Sequence, residues 1–176
     1  FYRDGLHRSA AQDYLRAIEF HPPFAEARSA LAWLYLEGKG VPRSPRRAAA
    51  LYLLAARQGH ADAQLRLGLL HLHGRGIERD AQRALHWLEQ AAGEGVVQAM
   101  ALAGQMLARG PRALGVDDAD GPAPDPARAR EWLARAAEAG DAAAQVELAY
   151  LHRDGRGGPA DPEAAHRWFR AAARQG

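Results

Sequence analysis

The chain has no cysteine, and its 176 residues hold only three serines, Ser9, Ser29 and Ser44. Without cysteine there is neither a disulfide framework nor a thiolate metal site, although this assigns no compartment. With so little serine, hydroxyl nucleophiles are scarce. No Gly-x-Ser-x-Gly elbow occurs, and Ser44 stands directly before Pro45 as a helix cap. Long apolar runs are also missing: nothing approaches the roughly 18 residues of a membrane span, and no stretch reads as a signal peptide. Charge of one sign is not in excess, with 23 basic against 21 acidic residues, net +2. Although the pI is about 9.3, the arginines are scattered, and no basic stripe is interleaved with stacking aromatics, so a nucleic-acid partner is not expected.

What the chain does have is repetition. Gly59, Gly95, Gly140 and Gly176 fall 36, 45 and 36 residues apart. Ala48, Ala84, Ala129 and Ala165 keep the same register. So do Leu51, Trp87, Trp132 and Trp168, and the pairs Ala55-Ala56, Ala91-Ala92, Ala136-Ala137 and Ala172-Ala173. Within each unit glycines mark the middle: Gly38 and Gly40, Gly74 and Gly76, Gly155 and Gly157, with Gly110 alone in the third. Gly74-Arg-Gly76 lacks the lysine of a phosphate loop, and its recurrence identifies a turn.

These glycines separate two helical halves. In the second unit, small or apolar residues at 63, 67, 70 and 71 would share one face of the first helix. The second helices start at Ser44-Pro45, Asp80, Asp125-Pro126 and Asp161-Pro162, each placing a capping oxygen at the start. They stop at the period glycine, which takes the left-handed conformation that closes a helix. Such a hairpin cannot bury its own apolar face and is stable only when stacked. Ala32, Gly68, Gly104 and Ala149 let first helices approach, while the tryptophan column is expected to fill the remaining core.

At these residues the chain resembles the Sel-one-like repeats of the tetratricopeptide superfamily. The second unit supplies Ala63, Leu67, Gly68, Gly74, Gly76, Ile77, Asp80, Ala84, Trp87, Ala91, Ala92 and Gly95 of that pattern. His71, Leu107 and His152 depart from the usual tyrosine that Tyr35 keeps, Leu51 replaces a tryptophan, and the third unit carries an insertion. The resemblance implies an all-α fold, a right-handed α-solenoid of stacked antiparallel hairpins. Its repeats would be 25–60, 61–96, 97–141 and 142–176, forming one elongated domain. Residues 1–24, with Ala10, Tyr14, Ala17 and Pro22, read as a half-unit contributing a second helix. Both ends look cut from a longer array.

Residues 111–124, rich in glycine, proline and acid, are expected to form an exposed loop. Asp117, Asp118 and Asp120 lack the glycine and glutamate spacing of a calcium loop, and nothing there desolvates them for acid–base work. Among eight histidines, His71 and His73 point about 200° apart on a helix, not to one side as a metal pair requires. His71 and His152 read as packing substitutes for tyrosine, and His60, His86 and His166 as surface or stacking positions. No cofactor or metal is expected, and no catalytic residue.

What remains is a surface. The superfamily's ligand-facing positions are the second, fifth, ninth and twelfth of each unit, on the first helices. Carried onto this chain they are Glu26, Ser29, Trp33 and Leu36; Asp62, Leu65, Leu69 and Leu72; Gln98, Ala101, Gln105 and Ala108; and Ala143, Val146, Tyr150 and Arg153. Trp33, Leu65, Leu69, Leu72, Val146 and Tyr150 would make an apolar concave groove. The resemblance thus implies a noncatalytic scaffold that docks a protein or peptide. The alternative is a regulatory or targeting module of a larger bacterial envelope protein or polysaccharide enzyme, and self-association through the groove or the stack ends is a third reading. The alanine, arginine and glycine bias points to a bacterium, in cytoplasm or periplasm.

Overall fold

The computed structural model describes residues 2–21, 23–116 and 121–175. Among them are nine α-helices and no strand: α1 Tyr2–Phe20, α2 Ala25–Glu37, α3 Pro45–Ala56, α4 Ala61–His73, α5 Ala81–Gly93, α6 Val97–Arg109, α7 Pro126–Glu138, α8 Ala142–Arg153 and α9 Pro162–Ala173. The fold is all-α, of the α-solenoid class built from helix hairpins. Two compact units, Phe1–Trp87 and Leu88–Gly176, are distinguished within it.

Each second helix starts where the sequence places its cap. The side chains of Ser44, Asp80, Asp125 and Asp161 accept from the N–H three residues on, at 3.4, 2.8, 3.2 and 2.8 Å. Such a bond satisfies an otherwise unpaired helix donor and contributes about 1 kcal/mol. The backbone N–H of the same residue closes the hairpin on the first helix, donating to Tyr35, His71, Leu107 and Asp161's partner His152 at 2.8, 3.0, 2.7 and 2.9 Å. This closure spans nine residues in three hairpins and eighteen in the third. The insertion therefore bulges out of an unchanged frame.

That insertion is not the plain exposed loop expected of it. A 3-10 turn, Pro111–Leu114, opens it, and Pro111, Val116 and Pro122 are buried. Apolar side chains spaced through a glycine- and proline-rich segment have been drawn onto the unit. Asp117, Asp118 and Asp120 lie outside the described residues, as do Pro22 and Gly176.

The second glycine of each pair is where one hairpin meets the helix before it. A Cβ on Gly76 (φ +77°) would run into the backbone of Pro45 and Arg46 at the start of α3, and one on Gly157 into that of Pro126 and Ala127 at the start of α7. Only glycine permits so close an approach. Gly40 meets His7 and Arg8 of α1 in the same manner. Helix α1 thus stands to the first hairpin as α3 stands to the second, with Ala11, Leu31 and Leu34 forming a small core beside Tyr14 and Ile18.

A larger core in the first unit gathers Ala32, Leu36, Tyr52, Leu67 and Leu70 around small residues. Burial drives the Tyr52 hydroxyl pKa up to about 12. Ala32, Gly68, Gly104 and Ala149 are all buried, and a Cβ on Gly104 would collide with the Leu133 side chain. The tryptophan column is less buried than expected. Trp87, Trp132 and Trp168 are half-buried, Trp87 packing against the core of the first unit. The indole N–H explains the placement in one case: Trp132 donates it to Glu89 at 3.1 Å.

Two of the scattered arginines act as staples between backbone segments. Arg130 donates to the carbonyls of Leu151 and Pro159 at 3.1 and 3.0 Å, and Arg156 to that of Ala108 at 2.6 Å. Their charge is used inside the fold.

Candidate functional site

A helix turns about 100° per residue, so the second, sixth, ninth and thirteenth positions of a first helix fall within about 60° of one another. Those positions, not the second, fifth, ninth and twelfth, form the open stripe here. In α2 it comprises Glu26, Ala30, Trp33 and Glu37; in α4, Asp62, Arg66, Leu69 and His73. In α6 it comprises Gln98, Leu102, Gln105 and Arg109; in α8, Ala143, Glu147 and Tyr150, with Asp154 just past its end.

In the first three repeats the expected fifth and twelfth positions are buried instead of open. Ser29, Leu36, Leu65, Leu72, Ala101 and Ala108 are buried, Leu65 being 3% and Leu72 1% exposed. They sit about 60–80° round the helix from the second position. In α2 that side faces the next first helix: the Ser29 hydroxyl donates to Asp62 at 3.3 Å, and Leu36 joins the core with Leu67 and Leu70 of α4. In α8, Val146 is half-buried and Arg153 exposed. Glu26, Asp62 and Gln98 are exposed, while Leu69, Gln105 and Tyr150 are half-buried, and Trp33 is 36% exposed. The surface is therefore amphipathic, with fewer apolar residues than the sequence suggested.

In the first unit this stripe opens into a cleft of about 530 Å³ between α1, α2 and α4. Glu26, Ser29 and Asp62 lie among its lining residues, with Trp33, His7 and Tyr14 as its aromatic wall. Asp62 is held from two sides, by Ser29 and by Arg66 Nε at 3.4 Å. Glu26 makes no ion pair or hydrogen bond among the described residues. His60 Nδ1 accepts the Ala63 N–H at 3.1 Å and so caps α4. The Trp33 ring meets His7 edge-to-face at 6.2 Å, and Lys39 Nζ sits 4.2 Å from its centroid. Beyond Trp33 a second depression of about 240 Å³ reaches Leu69 and His73.

The second unit answers the same positions differently. Arg109 and Glu147 pair at 2.9 Å, tying α6 to α8. Tyr150 packs edge-to-face on Phe169 at 5.2 Å, and the Arg153 guanidinium lies 4.9 Å from the Tyr150 centroid. A depression of about 410 Å³ beside Val146 is lined by alanines and Phe169.

His71 and His73 diverge, one buried and one exposed. Burial lowers the His71 pKa, and its Nδ1 lies 3.3 Å from the Glu78 carbonyl oxygen. His152 is lowered as well, first by burial and then by nearby Arg130. Both fill the tyrosine position as packing groups. Sequence reasoning missed His7, His60 and Arg66 as cleft residues. For Arg66 a signal existed, since a strict one-face spacing selects the sixth position over the fifth; His7 required the packing of α1 on α2.

The Sel1 repeat model matches residues 25–60, 61–96, 97–141 and 142–176. A Sel1 repeat protein from Oxalobacter formigenes has a similar crystal structure, with TM-score 0.80 and 33% identity over 96% of this chain. The chain spans 65% of that protein's length. The fold also resembles c5321, a protective antigen of uropathogenic Escherichia coli strains with an SLR fold (TM-score 0.51, 23% identity, 97% of this chain and 46% of that one). MamA is similar at TM-score 0.58 and 16% identity, over 94% of this chain and 85% of that one. No curated protein matches the chain.

Proposed function

The chain belongs to the Sel1 repeat family, whose repeats generally mediate protein–protein interaction, and on that premise we propose a noncatalytic scaffold that docks a peptide or partner protein along its first-helix face. The observation that carries this reading is the open stripe of the first unit, where Trp33 and Leu69 stand in a groove instead of in the core. Partly exposed aromatics in a concave surface are the side chains that contribute most at interfaces. The hydroxyls and histidines support a noncatalytic role, because they already serve the frame. Ser44 and His60 cap helices, Ser29 holds Asp62, and His71 packs inside.

The test is affinity capture from lysate with the intact chain, against a Trp33→Ala, Leu69→Asp double variant of equal helicity and melting temperature. A partner recovered only by the intact chain supports the groove. Equal recovery by both baits removes the groove assignment. Light scattering across a concentration series identifies the case in which the captured partner is a second copy.

A module of a longer envelope or polysaccharide-processing protein is the second reading. Both readings use the same groove.

A further inference from the structure

The cleft between α1, α2 and α4 carries a chemical preference, and the inference rests on the docking role proposed above. Glu26 brings a carboxylate with no partner among the described residues. Asp62 adds a second carboxylate, oriented by Ser29 and only partly neutralised by Arg66 at 3.4 Å. Of the other titratable groups facing the cleft, His60 is engaged through Nδ1 with the Ala63 N–H and His7 packs against the Trp33 ring. The wall beside the acids is aromatic and small-aliphatic, through Trp33 and Ala30.

This molecule already shows what the ninth position attracts. Where it is aromatic, a cation lies on the ring: Lys39 on Trp33 at 4.2 Å, and Arg153 on Tyr150 at 4.9 Å. Arginine stacks on aromatic rings and forks onto carboxylates, whereas the compact, strongly hydrated ammonium of lysine gains less from either. We propose that the cleft binds a peptide through an arginine side chain, its guanidinium directed to Glu26 and Asp62 and its stem laid along Trp33 in place of Lys39.

The test uses a phage-displayed library of random dodecapeptides selected on the whole chain. The expected result is enrichment of arginine at one fixed position, with binding about tenfold weaker when that residue is replaced by the neutral isostere citrulline. Glu26→Gln, an exposed change that leaves the melting temperature unaltered, should weaken the arginine peptide by a similar factor and the citrulline peptide hardly at all. Rising salt should weaken the arginine peptide selectively. Enriched peptides that lack a basic residue, depend on Trp33 and ignore Glu26→Gln overturn this inference while leaving the groove reading intact. If no peptide is enriched, or the enriched ones bind Trp33→Ala and Leu69→Asp variants unchanged, the groove reading fails and this inference with it.

Discussion

The two compact units present the same stripe of first-helix positions and finish it differently. In the first, Glu26 has no partner among the described residues, Trp33 is partly exposed, and the helices leave a cleft of about 530 Å³. In the second, Arg109 and Glu147 join across α6 and α8 at 2.9 Å, and Tyr150 leans on Phe169. The frame is common to both: the same caps, the same closure bond, the same glycine under the preceding helix. Side chains at the sixth, ninth and thirteenth positions decide whether a hairpin keeps its polar groups for itself or leaves them for a partner.

The largest losses are expected at the shared glycine. Gly76→Ala in the first unit and Gly157→Ala in the second should each cost about 2–5 kcal/mol, combining left-handed strain with a backbone collision. Gly59→Ala, where nothing lies within 4 Å, should cost only the strain, about 1–2 kcal/mol. Urea denaturation of the three variants separates the terms, and equal losses at all three would show that the collision is relieved by movement.

Trp87→Ala and Trp132→Ala come next, at about 2 kcal/mol each, below the 3–5 kcal/mol typical of a fully buried ring. Trp132 also gives up its bond to Glu89, so the second unit should lose more. A loss above about 4 kcal/mol for Trp87 would mean that the ring is covered in solution.

A smaller effect follows from the histidines in the tyrosine position. Burial holds the His71 and His152 pKa values below 6.5, so the unfolded chain binds more protons as pH falls. Stability is then fully present above about pH 6.5 and is lost progressively below it. His71→Tyr, which restores the residue of Tyr35, should flatten the melting temperature between about pH 5 and pH 7. An unchanged slope would show that His71 is not a source of the acid sensitivity.

The least effect is expected at the partly exposed Arg109–Glu147 pair. Arg109→Ala should lower stability by less than about 1 kcal/mol, and by still less at high salt.

Much of the frame is legible in the sequence because its signals are local. Ser44, Asp80, Asp125 and Asp161 cap through bonds three residues long, and the period glycines 59, 95 and 140 adopt positive φ. The candidate site was only half legible. The second and ninth positions emerged with the superfamily register, which supplied Glu26, Trp33, Asp62 and Leu69. The fifth and twelfth did not. For Leu65 and Arg66 a strict one-face spacing would have chosen Arg66, but the superfamily register pointed to Leu65, and the packing of α4 against its neighbours settles it.

The sequence alone determined the number of hairpins, where each second helix starts, and which small residues allow close packing, since caps, turns and periodicity act within a few residues of chain. Only the tertiary structure decided which side of each first helix is open, that part of the insertion is packed, and that α1 walls a cleft. Those outcomes turn on rotations and contacts between segments far apart in sequence, where burial of one leucine is settled by the surface another helix brings to it.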